Sequence, residues 1–198
     1  MTKRRITIIA AMMLAGIVAL AVVCLTAWPP DWWMLHIPSA ILAYAGFLGC
    51  IIVNIGLLFC KSWSETLADA FCEIGLAFAA TTMISGAIWA HGAWGAPWVW
   101  EPRLTGTFLM TLIFLSWRMS RPWLRGRHLG RAPASAALIV LGLPAMALTH
   151  LAARWMGGLH PTGMHGFSQI NPNILAMCFV AMAAFGSAAF VWRTSFAE

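Results

Sequence analysis

Apolar residues in this chain fall in long, nearly unbroken runs. They do not follow the 3.6-residue stripe of a surface helix or the alternation of a half-buried strand. Six runs stand out, at residues 6–28, 37–60, 71–90, 104–119, 134–153 and 174–192. A helix needs about 20 apolar residues to cross the hydrocarbon of a bilayer. Within that layer the backbone has no water to bond, so each segment must satisfy its own N–H and C=O groups as a helix. The pattern therefore predicts an all-α, polytopic integral membrane protein, a bundle of six transmembrane helices forming one domain over residues 1–198. Pro29-Pro30-Asp31 closes the first run and Lys61-Ser62-Trp63-Ser64-Glu65 the second, while Glu73 sits near the entrance of the third. The fourth run is short. The Trp- and Gly-rich segment before it, residues 91–103, either extends it or lies along the membrane interface. The first run also has features of a secretory signal, Lys3-Arg4-Arg5 ahead of it and Ala19-Leu20-Ala21 as a possible cleavage site. Its length and the five runs behind it favour an uncleaved anchor. No repeat or low-complexity linker divides the chain.

Composition agrees with this reading. Hydrophobic residues make up 61% and charged residues 9%, against about 25% charged in soluble domains. The net charge of +6 would suggest a nucleic-acid partner in a soluble protein, but in a membrane protein Lys and Arg report orientation. With the N-terminus inside, the inner segments hold Lys3, Arg4, Arg5, Lys61, Arg118, Arg121, Arg125, Arg127, Arg131 and Arg193, and the outer segments only Arg103 and Arg154. That asymmetry predicts both termini on the cytoplasmic side of the membrane, with lipid and not nucleic acid around the chain. Cys24, Cys50, Cys60, Cys72 and Cys178 fall mostly inside apolar runs and form no C-x-x-C pair. They read as small buried residues.

The same topology gathers chemistry on the outer face. His36 stands where the first outer loop meets the second run, and His91, His160 and His165 lie in outer loops. Trp28, Trp32, Trp33, Trp94, Trp98, Trp100 and Trp155 are there too. Tryptophan is enriched at membrane interfaces, which accounts for Trp28, Trp32, Trp33 and Trp155. It accounts less well for Trp94-Gly95-Ala96-Pro97-Trp98-Val99-Trp100-Glu101, where three indoles crowd into seven residues and end on an acid. Closely spaced indoles offer a broad apolar platform, suited to a flat ligand with a charged edge. Haem is such a ligand, and its iron takes imidazole as an axial ligand. His36, just before Pro38, and His160, just before Pro161, are the best pair. Arg103 and Arg154 suit the propionates, since guanidinium matches carboxylate in a two-point fork; for Arg154 an interfacial anchor is an equal alternative. His150, one turn inside the fifth run, reads as a hydrogen-bonded core residue, His165 as solvated, and His128 as part of the inner basic loop.

These residues resemble the tryptophan-rich haem-handling membrane proteins of cytochrome c maturation, and most of all the CcmC family. Leu35-His36-Ile37-Pro38-Ser39-Ala40 is similar to the family block around its first axial histidine. Trp94–Glu101 with Arg103-Leu104-Thr105 is similar to its tryptophan signature. Thr149-His150, Trp155 and Leu159-His160 match the block of the second axial histidine. The resemblance implies axial ligation of haem b by His36 and His160 and haem contact by Trp94, Trp98, Trp100 and Glu101. It also implies delivery to a periplasmic haem chaperone (CcmE-like). The expected complex is of ABC type, with an ATP-binding subunit (CcmA-like), a second six-span subunit (CcmB-like) and a small single-span adaptor (CcmD-like). The chain itself has no phosphate-binding G-x-x-x-x-G-K-[ST] loop. Two features depart from the family: Pro97-Trp98-Val99-Trp100-Glu101 replaces Trp-Trp-x-Trp-Asp, and Pro102 is more typical of synthase-type relatives. The expected function is haem binding and delivery without catalysis. The alternatives are a short cytochrome c haem synthase and a haem-free transporter subunit.

Overall fold

The computed structural model describes residues 7–8, 11, 13–14, 16, 32–59, 63–124, 131–160 and 171–195, and every regular element among them is helical. Five long helices follow in order: α1 (Trp33–Phe59), α2 (Glu65–Trp94), α3 (Pro102–Leu124), α4 (Arg131–Met156) and α5 (Pro172–Ser195). The described residues of the first apolar run are also helical. Four of the helices, α1, α2, α4 and α5, are long and apolar enough to cross a membrane. Helix α3 is not among them; it carries Arg103, Arg118 and Arg121.

The helices begin with local chemistry that the hydropathy runs do not reveal. Ser64 caps α2, its Oγ accepting from Thr66 N at 3.2 Å. Asn171 caps α5, with Oδ1 3.0 Å from Asn173 N and Pro172 in the first helical position, where its missing N–H costs nothing. Helix α3 starts in the same way. Glu101 Oε1 accepts from Leu104 N at 2.9 Å, the Glu101 carbonyl accepts from Thr105 N at 3.0 Å, and Pro102 follows. Helix α2 runs on to Trp94 and ends at Gly95, whose φ of 75° suits a residue without Cβ. The non-helical part of the Trp-rich segment 91–103 is therefore 95–101: its first residues prolong α2, and its last two begin α3, the extension of the short fourth run that the sequence allowed.

The chain divides into two compact units, one of residues 1–43, 77–97 and 167–198 and the other of 44–76 and 98–166. In the first unit, the start of α1 is bound to the later half of α2. Thr82 Oγ1 donates to Ser39 Oγ at 2.9 Å, and Ser39 Oγ donates to the Leu35 carbonyl at 2.6 Å, one turn above Pro38.

In the second unit, the rest of α1 meets the start of α2 at Gly46 and Gly75, where a Cβ on Gly46 would stand 2.7 Å from the Gly75 Cα. Phe47 and Phe114 stack at 4.0 Å between centroids. This core is also polar. Arg121 is 2% exposed; its Nε donates to Asp69 Oδ1 at 2.9 Å and its Nη2 to Glu65 Oε2 at 2.7 Å. Arg118 Nε donates to Glu73 Oε1 at 2.8 Å. Ser135 Oγ donates to Asn54 Oδ1 at 2.6 Å. Glu65, Asp69 and Glu73 recur every fourth residue, so they line one face of α2 and meet Arg118 and Arg121, one turn apart on α3. Sequence reading took the arginines only as markers of the inner side. Both are also ion-pair partners, Arg118 half-buried and Arg121 fully buried, and a charged side chain away from water requires such a partner.

Candidate functional site

The outer-face residues expected from sequence fall into two groups, one in each unit. His36, expected at the mouth of the second run, lies in the first turns of α1, its N–H bonded to the Trp32 carbonyl at 2.9 Å. Its ring lies against α2. Nδ1 is 2.9 Å from the Thr82 carbonyl oxygen. A carbonyl can only accept, so Nδ1 carries the proton and Nε2 holds the lone pair in the neutral ring. Gly86, one turn beyond Thr82, makes the approach possible: a Cβ there would be 2.8 Å from His36 Cε1 and 3.0 Å from Nδ1. Around the imidazole runs an aromatic chain. Trp33 meets His36 edge-on at 6.0 Å and Trp89 at 4.5 Å; Trp89 in turn meets Trp94 at 5.1 Å and 80°. Trp94, expected in a loop, is the last residue of α2. Trp89 was not singled out from sequence, although at five residues before Trp94 on the same helix it was within reach of detection.

The second unit holds Trp98, Trp100, Glu101, Arg103, Arg154 and His160. Trp98 and Trp100 stand edge to face, 5.6 Å apart at 80°, and both flank Phe108 on α3, at 6.1 and 6.3 Å. This pair is not the flat surface expected from the spacing. Its quadrupoles favour the perpendicular arrangement. Trp100 is 74% exposed. Trp98 Nε1 and Glu101 Oε2 are buried with no hydrogen-bond partner among the described residues. Arg103 is half-buried in the first turn of α3, and Arg154 is exposed in the last turn of α4. His160 is half-buried in the bend after α4. His150 is exposed, not the core residue expected, and His91 is exposed in the last turn of α2. His128 and His165 lie outside the described residues.

Haem has an apolar face, an iron seeking a neutral nitrogen, and anionic propionates. An imidazole held by its Nδ1–H on a backbone carbonyl presents Nε2 to iron, the arrangement by which proteins orient metal-bound histidine. That much is met within the first unit. Within the second unit, the exposed indole of Trp100, the unpartnered Trp98 N–H and two guanidinium groups suit an apolar face and carboxylates. Taken unit by unit, the residues present fit the group.

The fold and these residues define a multi-pass membrane protein with aromatic and histidine residues grouped in each of its two units. The chain belongs to the haem exporter protein C family, whose model matches residues 1–197. It is 37% identical over 107 residues to "Cytochrome c biogenesis protein CcsA" of Thermosynechococcus vestitus, covering 50% of this chain and 31% of that protein. It is 28% identical over 142 residues to "Heme exporter protein C" of Escherichia coli K12, covering 70% of this chain and 56% of the relative. These matches thus span from just under a third to just over half of the curated relatives' own lengths.

Proposed function

We propose that this protein holds haem at the periplasmic face of a bacterial inner membrane and delivers it to a periplasmic haem chaperone during cytochrome c biogenesis. The observation that carries the reading is the His36 ring, whose Nδ1–H is held by the Thr82 carbonyl, the tautomer in which Nε2 is the metal-binding nitrogen. His36 and His160 are the axial ligands. Trp94, Trp98 and Trp100 contact the macrocycle, while Arg103 and Arg154 pair with the propionates. Glu101 orders the end of the tryptophan segment by capping α3. Membership of the haem exporter protein C family supports a six-span topology, and the Lys and Arg asymmetry supports cytoplasmic termini with an outward Trp-rich segment. Haem is cargo here, and the chain does no bond chemistry on it. Energy for release comes from a partner ATPase within an ABC-type complex that also contains a second six-span subunit and a single-span adaptor.

A second reading has its own support. The match to CcsA and the Glu101-Pro102 start of α3 favour a haem synthase that attaches haem to an apocytochrome. Affinity capture of the tagged protein from detergent-solubilised membranes separates the two. A loader retains the haem chaperone and the ATPase; a synthase retains apocytochrome c, and that result would replace the first reading.

A further inference from the structure

The two carboxylate oxygens of Glu101, a residue only 8% exposed, have different neighbours. Oε1 caps α3 through Leu104 N at 2.9 Å. Oε2 is buried, with no donor among the described residues, and lies against Gly158. A Cβ on Gly158 would stand 2.2 Å from Oε2, 3.4 Å from Cδ and 3.8 Å from Pro102 Cδ. Gly158 follows the end of α4 at Met156 and precedes His160 by two residues. Capping does not explain this contact. Aspartate is among the residues preferred at an N-cap and would serve α3 as well, but with one methylene less it would withdraw from Gly158. A buried carboxylate oxygen without a donor is also costly, so nothing in the cap itself favours the longer acid.

We propose that Glu101 is a positioning residue for His160: anchored to α3 by one oxygen, its carboxylate abuts the Gly158 backbone and fixes where residues 157–160 leave α4. The proposal rests on the reading of His160 as an iron ligand. It makes glutamate at 101 and glycine at 158 a matched pair.

The test compares the full chain in detergent with Gly158→Ala, Glu101→Asp, their combination and His160→Ala, each titrated with haem. Loss of an outer-shell partner typically costs about 10–100-fold in metal-site affinity. Gly158→Ala should therefore bind haem roughly tenfold more weakly, with its Soret band shifted toward that of His160→Ala. Adding Glu101→Asp should restore most of the affinity and the wild-type band. Alanine at 158 also strains a backbone with φ of +159°, but that strain remains in the double variant, so rescue isolates the contact. An unchanged Gly158→Ala spectrum and affinity, or a double variant no better than Gly158→Ala, overturns the proposal. A second measurement needs no haem. The maleimide alkylation rate of His160→Cys is read with Cys24 and Cys60 replaced by serine, Cys50, Cys72 and Cys178 being buried. Gly158→Ala should change that rate and Glu101→Asp should return it; a rate indifferent to both overturns the proposal. If His160→Ala leaves the haem spectrum intact, the ligand assignment fails, and alkylation alone decides whether the pair positions residue 160.

Discussion

Replacing Gly86 by alanine puts a methyl group where the His36 ring now lies. The new carbon would stand 2.8 Å from Cε1 and 3.0 Å from Nδ1. Non-bonded carbons settle at about 3.5–4.0 Å, so the ring must retreat by roughly 0.7 Å or rotate. The 2.9 Å bond from Nδ1 to the Thr82 carbonyl would then stretch beyond hydrogen-bond range, and the imidazole would lose both its fixed tautomer and its aim. Losing such a partner costs about 10–100-fold in affinity for the metal group, or about 1.4–2.8 kcal/mol. Folding should respond differently. Alanine in place of glycine inside a helix gains about 1 kcal/mol, which roughly offsets the lost hydrogen bond. Haem titration in detergent, followed at the Soret band, reads the first quantity, and thermal unfolding of the apoprotein reads the second. Gly92→Ala is the control, because nothing lies within 4 Å of a Cβ there. Gly86→Ala binding haem with wild-type affinity would refute the reasoning, and so would an equal loss in Gly92→Ala.

Other outcomes follow from the same geometry. Arg121→Met would take away the guanidinium that Asp69, 1% exposed, pairs with in the core; a loss of about 3–5 kcal/mol of stability is expected, partly recovered by adding Asp69→Asn. Denaturation in mixed micelles reads this, and strictly additive effects of the two changes would contradict the pairing. Glu101→Ala removes the cap of α3 and should cost about 0.5–2 kcal/mol, with faster amide hydrogen exchange confined to the first turn of that helix. Gly46→Leu should disrupt the α1–α2 contact at Gly75 and lower the thermal midpoint, whereas the same change at Gly92 should not.

Hydropathy made the helical class and the approximate runs legible, because a bilayer demands uninterrupted apolar helices. The ends were less so. Trp33, Trp94 and Pro102 belong to helices; the Glu101 cap sets the start at Pro102 and Gly95 ends α2 after Trp94, local chemistry beyond what a hydropathy run can indicate. The acid-then-proline pair at 101–102 was read as a departure from a family signature when it is also a plain helix-start signal. The acids at 65, 69 and 73 were visible at helical spacing, but their partners on α3 required the fold. His36, His160, Trp94, Trp98 and Trp100 were legible as types, whereas Trp89 and Phe108, inside apolar runs, were passed over. That His36 is oriented by Thr82 and admitted by Gly86 was not, since neither a backbone carbonyl nor a missing Cβ announces its neighbour in a sequence.

The central claim is that His36 and His160 hold haem iron. The absorption spectrum of the purified protein, loaded with haem in detergent, tests it beside His36→Ala and His160→Ala. The account predicts a Soret band of a bis-imidazole haem in the wild type, shifted and weakened by either substitution and partly restored by added imidazole. A wild type without bound haem under ample supply, or haem bound unchanged in both variants, would contradict it.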